Sequence, residues 1–278
     1  MKKKSIPELK AMAAQGKKIT MLTAYDYPTA KILEKAGVDT ILVGDSLGMV
    51  VLGYESTVPV TMEDMLHHAK AVRRGAPNTF VVVDLPYLSY ATPQDALCNA
   101  GRLIQEGGAD AVKLEGGQDY SEIVAFLTRS GIPVVGHIGL TPQTAAQLGG
   151  FKVQGKDLDS ANKLRQDAQA IANAGAIMLT LEAIPSILAE KITEEISIPT
   201  IGIGAGNKCS GQVLVFHDLV GLFDRFVPKF VKQYESLAEK IDIAVKQYCK
   251  DVKDSVFPSA EHSFSLNEEV LTRLYGDK

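Results

Sequence analysis

The chain has 278 residues, is 46% hydrophobic and 22% charged, and carries 24 Gly and 12 Pro, the balance of a soluble globular protein with a large core. Lys and Arg number 29 against 33 Asp and Glu, a formal charge of −4, which excludes the basic footprint of a general nucleic-acid binder. No apolar run approaches the roughly 18 residues of a membrane span, and the three scattered cysteines, Cys98, Cys209 and Cys249, exclude a disulfide scaffold.

The opening MKKKSIPELK is basic but leads into no apolar h-region, so no export signal is read and a cytoplasmic location is expected. Ser5–Gln15 reads as an extra N-terminal amphipathic helix. Short β-branched runs follow at Ile19–Thr23, Thr40–Val43, Phe80–Val83, Ala111–Leu114, Pro133–Ile138, Ile177–Leu181, Thr200–Ile203 and Gln212–Phe216. Helical patterns alternate with them, which predicts a parallel sheet covered on both faces, and eight runs suggest a closed (β/α)8 TIM barrel. The eighth run lies only about a dozen residues beyond the seventh, near the lower limit for a parallel crossover.

Thr61-Met-Glu-Asp64 reads as a capping box. Thr92-Pro93 and Thr141-Pro142 read as helix starts, each a capping hydroxyl before a proline. Phe230–Lys253 reads as one or two C-terminal helices, and the tail beyond Pro258 is polar. No linker divides the chain, so one catalytic barrel domain over residues 1–278 is expected, the surplus over about 250 residues lying in the two terminal extensions.

Barrel enzymes place their sites at the C-terminal ends of the strands. There ILVG ends in Asp45, VVV in Asp84, KL in Glu115 and MLTL in Glu182, while VVG leads into His137. Period-2 alternation puts Ile41, Val43 and Asp45 on one face, Phe80, Val82 and Asp84 on another, and Ala111, Lys113 and Glu115 on a third. An Asp after a strand commonly caps the next helix. Asp45 and Asp84, however, run into Ser-Leu-Gly and Leu-Pro without helical periodicity. Several carboxylates in one cleft raise each other's pKa unless a cation joins them, and such a set suits Mg²⁺ or a similar hard ion.

Lys113 could form a Schiff base or stay charged and hold a substrate carboxylate; beside a metal the charged role is preferred. His137 reads equally as a core histidine or a functional one. His67 and His68, on the helix begun at Thr61, read as surface or interface residues, which leaves no soft zinc cluster. The GIGAG run from Gly202 to Gly206 could cradle a phosphate or simply make a tight turn.

A longer string carries more. GDSLGMVVLGYESTVPVTMEDMLHHAKAVRRG, from Gly44 to Gly75, resembles the signature region of ketopantoate hydroxymethyltransferase. The likeness continues in order through VVVDLPYLSY, AVKLEGG, PVVGHIGLTPQ, GGFKVQG, TLEAIP, IGIGAG and GQVLVFHDLVG. The resemblance implies transfer of a hydroxymethyl group from 5,10-methylenetetrahydrofolate to 3-methyl-2-oxobutanoate, giving 2-dehydropantoate in the committed step toward pantothenate and coenzyme A. It implies a metal-stabilised enolate, with Mg²⁺ at Asp45, Asp84 and Glu115. The keto-acid would lie against Asp45, Ser46, Asp84 and Lys113. Glu182 would be the catalytic base with His137 close by. A homo-oligomer, often a decamer, is also implied, while the folate-binding residues stay unassigned. Ser210 in KCSGQ departs from the Asp common in the family, which bears on that loop or on folate contacts. The rival reading is another Mg²⁺-enolate barrel of the phosphoenolpyruvate mutase or carbon–carbon lyase type.

Overall fold

Eight parallel strands close into one barrel in the computed structural model, which describes residues 2–223 and 225–276. The strands are β1 (Ile19–Thr23), β2 (Thr40–Val43), β3 (Phe80–Asp84), β4 (Ala111–Glu115), β5 (Val134–Gly139), β6 (Met178–Glu182), β7 (Thr200–Ile203) and β8 (Gly211–Leu214). Met21 of β1 pairs with Thr40 of β2 on one side and Val213 of β8 on the other, and that double pairing closes the sheet. The helices are α1 (Ile6–Ala14), α2 (Tyr27–Ala36), α3 (Leu47–Val50), α4 (Met62–Gly75), α5 (Pro93–Gln105), α6 (Ser121–Arg129), α7 (Leu158–Asn173), α8 (Ser186–Glu195), α9 (Phe216–Leu219), α10 (Leu237–Lys253) and α11 (Glu268–Tyr275). Among the described residues no helix is long and apolar enough to cross a membrane.

Strand alternation sorts the apolar residues into two cores. One fills the barrel with Met21, Leu42, Phe80, Val82, Ala111, Val135, Met178 and Ile201. The other lies between sheet and helices and includes Ile41, Val43, Val81, Val83, Val112 and Leu114. The expected inward faces of β3 and β4 are therefore observed, but that of β2 is out of phase. Ile41 and Val43 pack outward and Leu42 packs inward. Asp45 still reaches the mouth, because the strand ends at Val43 and the chain turns at Gly44. A Cβ on Gly44 would lie 2.8 Å from Ser46 Oγ and 3.5 Å from Asp84 Oδ2, so only glycine lets the turn pass so close to the site.

The N-terminal helix has a structural task. Ser5 caps α1 in a full capping box, and Leu9 enters the barrel core with 1% exposure. Burial of one leucine contributes about 1.5–3 kcal/mol, and here it stoppers the N-terminal end of the barrel. The cavity of the barrel lies at the other end, lined by the C-terminal ends of the strands.

Two local expectations are corrected. Thr141-Pro142 does not start an α-helix: Pro142–Thr144 is a single 3₁₀ turn and Thr141 makes no cap bond. Asp157 caps the helix that follows, α7. The reason is tertiary, since Gln143 in that turn is drawn into the site. Residues 230–236 are also irregular, and helix resumes only at Leu237.

The short crossover into β8 is real and contains no helix. Its residue Cys209 is buried against the strand, 2.9 Å from where a Cβ on Gly202 would stand. Ser210 Oγ accepts from Thr200 N at 3.2 Å, while Ser210 N donates to Thr200 Oγ1 at 3.1 Å. That pair ties the starts of β7 and β8 at the barrel's N-terminal end, away from the strand ends that carry the acids. Ser210 thus acts in the structure of that loop, where it joins β7 to β8.

Candidate active site

The strand ends bring Asp45, Asp84, Lys113, Glu115, His137 and Glu182 into one cavity of about 470 Å³, with Ser46 on its wall. All the acids, the lysine and the histidine except Glu182 are at least 95% buried. The capping alternative fails for both aspartates: Asp45 precedes a helix whose N-cap, Ser46, makes no side-chain cap bond, and no helix follows Asp84 until α5. The first aspartate presents its backbone N–H to Asp84 Oδ2 at 3.1 Å, which locks the two strand ends together.

Burial lifts the Asp45 carboxyl well above its ordinary range, and the Asp84 and Glu115 charges lift it further. Burial also raises Asp84, against the pull of Lys113. The lysine Nζ stands 3.0 Å from Asp84 Oδ1. Desolvation presses its pKa down, but Asp84, Glu115 and Asp45 outweigh that and hold it charged. Three buried carboxyl groups face one ammonium, and a further cation among them would favour their ionised forms.

His137 links the acids. Its Nδ1 lies 3.4 Å from both Lys113 Nζ and Glu115 Oε1, and its Nε2 lies 3.1 Å from Glu182 Oε2. Burial and the Lys113 charge both oppose protonation, yet Glu115 and Glu182 bring its pKa up to about 9. His137 thus stands between the Glu115 and Glu182 carboxyl groups, buried at the floor of the cavity. Glu182 closes β6 beside Ala183, whose φ of +47° is unusual for a residue with a side chain. Ala183 N donates to Ile203 O and its carbonyl accepts from Gln154 N, both at 2.9 Å. Those bonds hold the bend that aims Glu182 into the cavity.

Several residues of the site carry no sequence signal strong enough to single them out. Gln143 is buried and donates through Nε2 to Asp45 Oδ2 at 2.8 Å and to Leu85 O at 2.9 Å. Its backbone N donates to Glu115 Oε2 at 3.0 Å, and Tyr90 OH donates to its Oε1 at 2.5 Å. Tyr25 OH bonds Ser46 Oγ at 2.8 Å. The TPQ that follows β5 was the one cue to Gln143, and helical capping explained it equally well. His67 is exposed, and His68 is spent on a 2.6 Å bond to Tyr25 O. The GIGAG glycines serve close packing: Gly204 seats Phe230 and Gly206 seats Ser186, where a Cβ would lie 2.7 and 2.5 Å from them.

A hard divalent ion can be tested against these atoms. Asp84 Oδ1 is buried and takes no hydrogen bond among the described residues, its contact with Lys113 being an ion pair off hydrogen-bond geometry. Asp45 uses Oδ2 for Gln143, and among the described residues no hydrogen bond reaches its Oδ1. Two hard oxygens thus take no hydrogen bond among the described residues, and they are of the donor type Mg²⁺ prefers. Both oxygens of Glu115 are engaged, one by Gln143 N and one facing His137. In keeping with this, no three acidic, imidazole or thiol groups among the described residues are gathered as a ready metal cage. Two protein oxygens with open positions fit an ion that keeps waters and substrate oxygens around it.

With the geometry in view, comparison with known proteins decides the family. The family model described as ketopantoate hydroxymethyltransferase matches residues 3–260. The chain belongs to this family. It is 58% identical over 276 residues to the 3-methyl-2-oxobutanoate hydroxymethyltransferase of Carboxydothermus hydrogenoformans, covering 99% of this chain and 100% of that one. The enzyme of the same name from Bacillus cereus strain AH187 is 58% identical over 268 residues, 96% of each chain. Membership makes this chain a transferase enzyme. Among solved structures, phosphoenolpyruvate phosphomutase from Streptomyces platensis subsp. rosaceus shares the fold with a TM-score of 0.61, 15% identity and coverage of 98% and 96%. A 2,3-dimethylmalate lyase aligns with a TM-score of 0.58 at 15% identity, covering 97% of this chain and 94% of that one. These last two likenesses are of the barrel alone.

Proposed function

We propose that this family member transfers a hydroxymethyl group from 5,10-methylenetetrahydrofolate to 3-methyl-2-oxobutanoate, forming 2-dehydropantoate, the committed step toward pantothenate and coenzyme A. The observation that carries the reading is the convergence of Glu182, Lys113 and the Asp45 and Asp84 carboxyl groups on one cavity. Asp45 and Asp84 would hold Mg²⁺, with Glu115 adding its charge beside them. When bound, the ion supplies Lewis-acid stabilisation for the negative charge that develops on the 2-oxo oxygen.

The chain's own residues do the rest. Lys113 and the Ser46 hydroxyl hold the substrate carboxylate, fixing C3 in front of the base. Glu182 takes the C3 proton through the oxygen that His137 leaves free, and His137 keeps that carboxylate from turning away. The C3 carbon then bonds the methylene carbon as one of that carbon's two bonds to folate nitrogen breaks. Water supplies the new hydroxyl as the second carbon–nitrogen bond breaks, and the freed nitrogens take up protons to give tetrahydrofolate. Gln143 and Tyr90 keep Asp45 and Glu115 in register throughout.

Deuterium exchange at C3 of 3-methyl-2-oxobutanoate, followed by NMR without folate, tests this directly. Exchange should require Mg²⁺ and stop when EDTA is added. The lyase or mutase alternative calls for no exchange at this carbon, so its absence with saturating Mg²⁺ would overturn the assignment.

Assembly into a homo-oligomer, a homodecamer on the family pattern, belongs to the same reading. Its support is apolar surface that α10 and α11 leave uncovered: Ile243 is 63% exposed, Tyr248 57% and Leu274 63%. Sedimentation should show a large assembly at micromolar concentration, and a stable monomer would refute it.

A further inference from the structure

A small keto-acid on the polar floor leaves most of the cavity open, and the walls of the outer part differ in kind. Phe223, Phe226 and Phe230 line it together with Lys152, Lys229 and Asp218. Phe223 and Phe226 meet edge to face with centroids 5.7 Å apart, while Phe226 and Phe230 remain 48% and 38% exposed at the mouth. Neither lysine makes an ion pair among the described residues. Asp218 is the odd member of this apolar chamber: no hydrogen bond or ion pair reaches its carboxylate among the described residues. Burial alone pushes that carboxyl up to about 6.

We propose that this outer chamber binds the pterin of the folate co-substrate, with Asp218 accepting from its N3–H and 2-amino groups. The phenylalanines would face the ring, and Lys152 and Lys229 would meet the glutamate carboxylates. The assignment rests on the hydroxymethyl-transfer reading and names the half of the site that reading leaves open.

Three chemical matches support it. The 2-amino-4-oxo edge of a pterin offers two parallel N–H donors, spaced for the two oxygens of one carboxylate. A flat bicyclic ring gains most from aromatic surfaces, and Phe226 and Phe230 are partly exposed at the mouth. Lysines without partners suit an anionic tail that trails toward solvent.

Each of the other carboxylates of the cavity has a protein partner: Asp45 bonds Gln143, Asp84 faces Lys113, and Glu115 and Glu182 face His137, whereas Asp218 has none among the described residues. Placement also agrees. Asp218 adjoins His217, whose ring packs on Tyr25 at 5.5 Å, and Tyr25 OH bonds Ser46 Oγ at 2.8 Å. A pterin edge held at Asp218 therefore lies next to the wall that holds the keto-acid. A half-buried carboxylate without a partner costs free energy, and a ligand that donates to it offsets that cost.

The test compares wild type with Asp218→Asn, which keeps the size of the side chain but turns one acceptor into a donor. Removing an unpaired carboxylate leaves the fold intact, so the effect should fall on the ligand. The Kd for tetrahydrofolate by calorimetry and the KM for its 5,10-methylene form should each rise about 10- to 100-fold. Exchange at C3 without folate should shift by less than about twofold, set against that rise. A folate analogue lacking the 2-amino group should bind wild type about 10-fold or more weakly, yet bind the variant no worse than tetrahydrofolate does.

Equal tetrahydrofolate affinity in the two proteins would overturn the assignment, as would an equal analogue penalty in both. A wild type that exchanges C3 normally while showing either result would lose the pterin site alone. A wild type with neither exchange nor folate turnover would lose the parent reading as well. Lys152→Glu with Lys229→Glu should raise KM for polyglutamylated folate more than for a tail-less pterin, and equal effects would overturn the role of the rim.

Discussion

Glu182→Ala should fold like wild type and lose about 10²–10⁴ in kcat, the range for removal of a general base. The carboxylate stands at the end of β6 with its side chain 14% exposed, and one oxygen is held 3.1 Å from His137 Nε2. Cutting it back removes the carboxylate that the reading assigns to the C–H proton, while most of the buried network stays paired. Asp45, Asp84 and Lys113 keep their partners, so the keto-acid should still bind. The KM for the keto-acid should then move far less than kcat, the split expected when an interaction made in the transition state is lost. Thermal unfolding alongside steady-state kinetics checks both halves. Turnover within tenfold of wild type would remove Glu182 from the role of base.

Lys113→Met should have the larger effect on the fold itself. Its ammonium is at the centre of three buried carboxyl groups and is the counter-charge that opposes the upward push of burial on Asp84. Replacing one partner of a buried ion pair and leaving the other costs about 3–5 kcal/mol. For a chain of this size that corresponds to a fall in Tm on the order of 10 °C. Methionine fills a similar volume, so the loss is one of charge more than of packing. Added Mg²⁺ should recover part of the loss, because a cation among the same carboxylates stabilises the folded state by mass action. A Tm unchanged by the substitution, or unmoved by Mg²⁺ in the variant, would show that the acids are balanced some other way. Activity should be lost in either case if Lys113 holds the substrate carboxylate.

Much of the architecture was legible along the chain because local rules and global fold agree. Short β-branched runs alternate with capped amphipathic helices, and a parallel sheet covered on both faces is their simplest joint solution. The acids of the site were legible for a related reason. A barrel strand presents its last residue to the mouth whatever lies in the helices, so Asp84, Glu115 and Glu182 could be placed by position alone. Where the local rule was ambiguous the reading slipped. Thr141-Pro142 has the chemistry of a helix start, but the pull of Gln143 toward Asp45, Glu115 and Tyr90 outweighs capping. On β2, alternation counted back from Asp45 gave the wrong inward face, because the turn at Gly44 breaks the period before the aspartate is reached.

What the amino-acid order determined by itself was the barrel, its strand ends and the family those strings belong to. Each depends on residues close in sequence, or on motifs met in a set order. The tertiary structure alone decided how those ends face one another. It made Gln143 and Tyr90 the brace of the acids, set His137 between Glu115 and Glu182, and brought Asp218 into one chamber with three phenylalanines and two lysines. These relations join residues up to about a hundred positions apart, Asp45 with Gln143 among them, and no local periodicity encodes them. Net charge shows the same division. A count of −4 describes the whole chain, whereas only the closed barrel shows that several of those charges are buried together around one lysine, where low dielectric makes each worth far more than on the surface.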